Sequence, residues 1–86
     1  MATTVDQTQI ITPEQLAEAS KYSILIRWSQ EDQIFIAEVP ELSGAKTHGA
    51  SVIEAAEMVT EVAALWLDMA RELGWNIPVP RLYPDI

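Results

Sequence analysis

Residues 51–74 read SVIEAAEMVTEVAALWLDMARELG, and this stretch decides the fold. Ser51 followed three residues later by Glu54 is the pattern of a capping box, in which two side chains bind backbone N–H groups at a helix start. No proline or glycine interrupts the run before Gly74, and glycine readily takes the left-handed conformation that ends helices. The sequence therefore predicts one helix from Val52 to Leu73, about 33 Å long.

The predicted helix has an apolar face that is wider than one sheet requires. At 100° per residue, one side carries eight apolar positions: Val52, Ala55, Val59, Val62, Ala63, Trp66, Ala70 and Leu73. The opposite side carries five acids: Glu54, Glu57, Glu61, Asp68 and Glu72. Such acids can hold a metal or exchange protons, but a solvated face is the interpretation we favour. Met58, Leu65 and Met69 lie on one flank and widen the apolar arc to about half the circumference, so we expect them to contact a partner.

Two segments before this helix alternate in the manner of strands. Residues 22–28 place Tyr22, Ile24, Ile26 and Trp28 on one face, and residues 33–39 alternate likewise. Between them, residues 29–32 predict a hairpin tip. A plain polar turn explains Glu31 and Asp32, and pairing with a basic partner is the alternative use of the two acids. Residues 45–48 predict a short third strand. Because both strands are apolar on both faces, we expect one sheet face under the helix and the other under something else.

The two ends of the chain extend this core. Residues 1–11 are polar and are expected to fray. Thr12 as cap and Pro13 at the first helical position then predict a short helix that ends near Ser20. After Gly74, two prolines forbid helix, so we predict an extended tail or a fourth edge strand. Leu82 and Tyr83, near its end, are expected to dock on the domain or on a neighbour.

The composition restricts the classes of function. The 86 residues include 13 acids and 5 bases, for a net charge of −8, and the basic residues are scattered. This balance disfavours direct nucleic-acid binding, which needs clustered cations, and favours a basic protein partner. The absence of cysteine excludes a disulfide framework, a thiol nucleophile and a thiolate zinc site. With no readable secretion signal and no apolar run of about 20 residues, we expect a cytoplasmic protein without a membrane partner.

Few residues suggest catalysis. His48 is the only histidine, and a histidine beside a glycine at a strand end favours a structural role. The three glycines form no phosphate-binding loop, and Ser51 is explained as a helix cap. The three tryptophans, without a basic groove around them, indicate packing rather than base stacking. We therefore predict no enzyme and no catalytic, cofactor-binding or metal-binding residue; an enzyme that uses His48 with nearby acids remains the weakest alternative.

An ordered set of short motifs runs through residues 21–80, about 60 of the 86 residues. These are YSILIRWS at 22–29, EDQIF at 31–35, AEVPEL at 37–42, Gly44, HG at 48–49, EAA at 54–56, LWL at 65–67, Gly74 and IPVP at 77–80. In this order and spacing the set resembles the HicB-like antitoxin domain. Ala45 stands where the family often carries a cysteine. The chain is thereby divided into an N-terminal extension with the short helix (1–20), a HicB-like domain (21–80) and a C-terminal tail (81–86).

The resemblance implies a function. HicB-like domains have a β-β-β-α-β, partial RNase H-like fold and serve as antitoxins of type II toxin–antitoxin modules. They neutralise a small basic HicA toxin, an mRNA interferase with a catalytic histidine, by covering its active site and RNA surface. Many members also carry a C-terminal DNA-binding domain, for which residues 81–86 leave no room, so we do not expect operator binding.

The predictions can be stated together. The fold is α+β: an antiparallel sheet packed on one long helix, with a short N-terminal helix. The function is a non-catalytic HicB-like antitoxin that binds a HicA-like toxin, and the alternative is a solitary oligomeric scaffold without a toxin. In either case we expect a homo-oligomer that needs no cofactor. The predicted partner-binding residues are Glu31, Asp32, Met58, Leu65, Met69, Leu82 and Tyr83.

Overall fold

The structure is a computed structural model, and it describes residues 11–83. Its elements are α1 (Pro13–Ala19), β1 (Leu25–Ser29), β2 (Ile34–Glu38), β3 (Lys46–Gly49) and α2 (Val52–Leu73). The strands form one antiparallel sheet in the order β1-β2-β3, and α2 packs across it. The predicted α+β fold, with three antiparallel strands, one long helix and one short helix, is confirmed. The predicted frayed start lies outside the described residues except for Ile11, which packs against the core.

Helix α2 has the predicted bounds, and its two ends are fixed by local chemistry. The Ser51 hydroxyl accepts a hydrogen bond from the Glu54 amide at 3.1 Å. The Glu54 carboxylate reaches back to the amide of Ala50 instead of that of Ser51, so the reciprocal half of the predicted capping box is shifted by one residue. At the other end Gly74 has φ 74°, and its amide donates to the carbonyl of Ala70.

Helix α1 is also capped as predicted, and a further residue completes its cap. Pro13 occupies the first turn and Thr12 is the N-cap. The Gln15 amide donates to the Thr12 hydroxyl at 3.1 Å, while the Gln15 side chain accepts from the Thr12 amide at 2.8 Å. This T-x-x-Q arrangement is a full capping box, and it allows a helix of only seven residues to start at a defined position.

The first two strands are shorter than the alternation predicts. β1 begins at Leu25 and not at residue 22, because Ser23 leaves the ladder and binds Glu41 with both its amide and its hydroxyl. β2 begins at Ile34 because Gln33 belongs to the turn: it has φ 59°, and its amide donates to the Ser29 carbonyl at 2.7 Å. The strands that remain pair in the register that places Ile26 opposite Ala37.

Small residues set the distance between α2 and the sheet. Ala55, Val59 and Ala63 of the helix and Ala37 of the sheet are all fully buried. At Gly49 a Cβ atom would lie 2.5 Å from the amide nitrogen of Ala55, so the helix backbone lies directly on β3. Ala55, which carries this contact, places the first turns of α2 over β3, and α2 contacts β3 more extensively than β2 or β1.

The buried face of α2 is rotated relative to the prediction. Ala64 and Leu67 are buried although they lie outside the predicted apolar stripe, because α1 packs on that flank of the helix. Val52 and Leu73, which were predicted to face the core, are 50% and 58% exposed because they lie at the two ends of the helix. The excess apolar width of α2 is therefore partly used by α1.

One face of the sheet is open. The face away from α2 carries Leu25, Arg27, Ile34, Ile36, Glu38, Lys46 and His48. We expected something other than the helix to cover this face, but α1 packs on α2, and no other element between residues 11 and 83 lies over it. Arg27, Lys46 and His48 are exposed, and Lys46 lies 3.8 Å from the Glu38 carboxylate, so the face mixes apolar side chains with charged ones of both signs.

The predicted last strand is not formed in residues 75–83, so the order of elements there is β-β-β-α. Pro78 and Pro80 lack the N–H groups that a ladder needs. The tail is held by other contacts: the Tyr22 hydroxyl donates to the Pro78 carbonyl at 2.5 Å, and the Trp75 ring lies 5.7 Å from that of Trp66. Burial raises the pKa of Tyr22, with the nearby charge of Glu18 adding to the effect and that of Arg71 opposing it.

The structure also bears on membranes. Within residues 11–83, no helix is both long enough and apolar enough to cross a bilayer. Helix α2 has the length, but it carries acids on its exposed side.

Replacing Gly49 by alanine tests the contact between α2 and β3. The new Cβ would overlap backbone atoms of Ala55, which cannot rotate away, so we expect the free energy of unfolding to fall by about 3 kcal/mol. Gly74→Ala is the control for an added methyl group without the close contact: its positive φ strains an alanine, but no atom lies within 4 Å of the new Cβ, so the expected loss is about 1 kcal/mol. Urea unfolding followed by circular dichroism measures both, and an equal or smaller loss at Gly49 would contradict the contact.

Candidate protein-binding surfaces

The hairpin tip presents two acids to solvent. Glu31 and Asp32 lie in the turn between β1 and β2, and both are exposed. The Asp32 amide donates to the Ser29 hydroxyl at 3.2 Å, which fixes the backbone of the turn. Neither carboxylate forms an ion pair with any residue in the range 11–83. The predicted hairpin tip is therefore formed, and pairing of its two acids with a basic partner stays a prediction.

The predicted flank of α2 is an exposed apolar stripe. Met58 is 40% exposed, Met69 is 48% exposed and Leu65 is half-buried. At 100° per residue this stripe lies on the side of the helix opposite to α1. Ala55, which lies between the stripe and the core at 100° per residue, is the residue that approaches Gly49 of β3.

The tail presents the third predicted group. Leu82 is 75% exposed and Tyr83 is 97% exposed, so neither docks on the described part of the domain. The tail is anchored just before them by the Arg81 amide, which donates to the Glu41 carboxylate at 3.0 Å.

The seven predicted residues do not form one surface. The hairpin tip follows the end of β1, whereas Glu41 and the tail follow the end of β2, at the opposite end of the antiparallel pair. The stripe of Met58, Leu65 and Met69 lies on a third element, along α2. The structure thus separates the candidates into three patches.

Glu41 is a structural node that the sequence did not indicate. Its carboxylate accepts hydrogen bonds from the Ser23 amide at 3.1 Å, the Ser23 hydroxyl at 2.9 Å and the Arg81 amide. Burial acts to raise the pKa of Glu41, but these donors more than offset it and lower the pKa below its ordinary value. The residue therefore joins the start of β1 to the tail. No periodicity marks it, since it lies in a loop after Pro40, and the AEVPEL motif that contains it did not predict its contacts.

The negative charge is concentrated on the helices. Helices α1 and α2 together carry seven acids and one base, a net charge of −6. The acids are Glu14, Glu18, Glu54, Glu57, Glu61, Asp68 and Glu72. The other described residues carry four acids and four bases, a net charge of zero with His48 neutral. A basic partner is therefore attracted mainly to the helical side of the molecule.

A shallow groove runs along this helical side. It lies between α1 and α2 and is lined mostly by apolar atoms. Its lining residues are Pro13, Leu16, Ala17, Ser20, Glu57, Thr60 and Glu61. Sequence reasoning missed it because the groove exists only once α1 is placed on α2, although the apolar Leu16 and Ala19 in α1 indicated that this helix must pack on something.

His48 lies on the open sheet face, exposed and opposite Ile36. Its imidazole forms no hydrogen bond or ion pair with the residues from 11 to 83. In the same range, no group of three or more histidine, cysteine, aspartate or glutamate side chains is arranged to hold a metal ion.

Comparison with known proteins gives no match: no protein-family model, no curated protein and no solved structure matches the chain. The shape and charge of the described residues, together with the resemblance in motif order, therefore carry the functional proposal.

Replacing Glu41 by glutamine tests its role as a node. Because the folded state holds the pKa of Glu41 below the ordinary 4.5, its charge stabilises the fold above that pH, and the contribution is lost as pH falls through the folded value. We therefore expect wild type to be more stable than Glu41→Gln at pH 7, and this difference to shrink below pH 4.5. Unfolding in urea at a series of pH values measures it.

The control is Glu72→Gln, which removes the same charge from the exposed end of α2 without touching Ser23 or Arg81. It corrects for the change in net charge. A difference between wild type and Glu41→Gln that is independent of pH, or that grows in acid, would contradict the assigned role.

Proposed function

We propose that the chain is a HicB-like antitoxin that binds and covers a small basic HicA-type mRNA interferase and catalyses no reaction itself. The observation that carries the proposal is the net charge of −6 on α1 and α2, whereas the other described residues have a net charge of zero. The resemblance of residues 21–80 to HicB-like domains supports it independently, because it rests on motif order and not on charge.

The partial RNase H-like relationship belongs to the same proposal. The order β-β-β-α supports it, whereas the tail in residues 75–83 lacks the last strand of that fold. A cytoplasmic location follows from the proposal as well, since an interferase that cleaves mRNA must be neutralised where mRNA is translated.

The mechanism we propose is occlusion. Charges of opposite sign on the two proteins steer the encounter and raise the association rate, and the effect weakens as salt screens them. Once bound, the antitoxin excludes RNA from the active site by occupying the basic surface that RNA would use. The same acidic helices repel a phosphate backbone, so the antitoxin does not compete for the RNA itself.

Mixing the purified chain with the basic HicA-like protein and an mRNA substrate tests the proposal. We expect cleavage to stop at stoichiometric amounts of the chain, and the association rate to fall as salt is raised. An unrelated basic RNA-binding protein is the control for attraction by charge alone. Unchanged cleavage and no isolable complex would refute the antitoxin function.

A second candidate function, an oligomeric scaffold without a toxin, is favoured by one observation. The stripe of Met58, Leu65 and Met69 is exposed on the helix that packs on β3, and among residues 11–83 one edge of β3 has no partner strand. Pairing of two β3 edges about a two-fold axis would extend the sheet and place the stripes of both helices on the same side of it.

Light scattering tests this candidate. We expect a mass above 9.6 kDa at micromolar concentration, and a return to the monomer mass in Met58→Lys, because a charge in the stripe opposes its burial. Ile53→Lys is the matched control, since Ile53 is 72% exposed on another side of α2. Wild type at the monomer mass, or equal effects of both variants, would contradict the scaffold.

A further inference from the structure

The groove between α1 and α2 has a rigid frame. α1 is joined to α2 by an ion pair between Glu18 and Arg71, and Ala19 at its end is buried in the common core. The segment after α1 is also held in place, because the hydroxyl of the buried Tyr22 donates a hydrogen bond to the Pro78 carbonyl in the tail. The two walls of the groove are therefore fixed relative to each other.

The floor of the groove is apolar. Leu16 and Ala17 line it from α1, and Pro13 closes one end. Thr60 lines it from α2, but its hydroxyl donates to the Ala56 carbonyl at 2.7 Å within the same helix. The polar atom of Thr60 is thereby satisfied internally, so an apolar group from a partner can be buried here without leaving a donor unpaired.

The rim of the groove is acidic. Glu57 and Glu61 stand one turn apart on α2, both exposed and without an ion pair to the residues between 11 and 83. The base on the helices, Arg71, is occupied by Glu18. Lys21 follows α1 at the far end of the groove, beyond Ser20. An occupant therefore meets an apolar surface with negative charges along one side.

We infer that this groove receives a basic amphipathic helix of the protein partner. Apolar side chains of that helix pack on Leu16, Ala17 and Thr60, and its lysines or arginines pair with Glu57 and Glu61. The identity of the partner as a toxin rests on the proposed function, whereas the chemistry of the docking helix comes from the groove itself. A second copy of this chain fits poorly, because the exposed side of its own α2 carries the same acids.

A synthetic peptide tests the groove without any toxin. The probe has about four helical turns, with leucine on one face and lysine on the other. A scrambled peptide of identical composition is its control, because it has the same charge without an apolar face. Binding is followed by fluorescence anisotropy with the wild-type chain, and by shifts of the amide resonances of Leu16, Ala17 and Thr60.

Three variants separate the groove from charge in general. Glu57→Lys/Glu61→Lys removes the rim, and Ala17→Gln places a longer polar side chain on the floor at unchanged charge. Glu31→Lys/Asp32→Lys changes the net charge by the same amount as the first variant, but at the hairpin tip. We expect the first two to weaken peptide binding by about tenfold and the third by much less.

The outcomes distinguish this inference from the proposed function. The docking site would be overturned if the scrambled peptide bound equally well, or if both lysine pairs weakened binding equally. It would also be overturned if the amide shifts were confined to residues outside the groove, as binding at the hairpin tip or at a contact between two copies would give. The toxin assay decides the function separately. Peptide binding in the groove without any toxin complex would leave the docking site standing and refute the antitoxin.

Discussion

The close approach of α2 to the sheet is the constraint on which the rest of the structure depends. Gly49 admits the backbone of Ala55, and the alanines of the helix and Ala37 of the sheet leave no bulk between the layers. Because α2 lies this close to the sheet, small side chains are enough to fill the space between the helix and the sheet. The apolar arc of α2 is wider than its contact with the sheet, so apolar side chains remain on both flanks of the helix.

One flank is covered by the chain itself. α1 adds Leu16 and Ala19 beside Ala64 and Leu67 of α2 and so enlarges a core that 73 described residues would otherwise make thin. Because α1 is only seven residues long, it covers α2 incompletely and creates the groove. The other flank, with Met58, Leu65 and Met69, has no such element among residues 11–83.

The sequence predicted what local chemistry controls and failed where distant segments meet. The bounds of α2 followed from Ser51 and Gly74, and the start of α1 followed from Thr12 and Pro13, because caps act within one turn. The strands were predicted too long because alternation continues through Tyr22 and Gln33, although Ser23 binds Glu41 and Gln33 takes a positive φ. Glu41 and the groove depend on segments that are far apart in sequence, so no periodicity could reveal them.

The two flanks of α2 lie on opposite sides of one helix, and this placement makes two kinds of contact compatible. An occupant of the acidic groove would lie against α1, whereas a contact through the stripe would use the flank of α2 away from α1. Helix α2, which is held by its caps and by the packing of its alanines on the sheet, separates these two contacts. Binding of a basic partner and self-association therefore do not require the same surface. Charge favours a basic partner in the groove, and exposed apolar area favours self-association through the stripe.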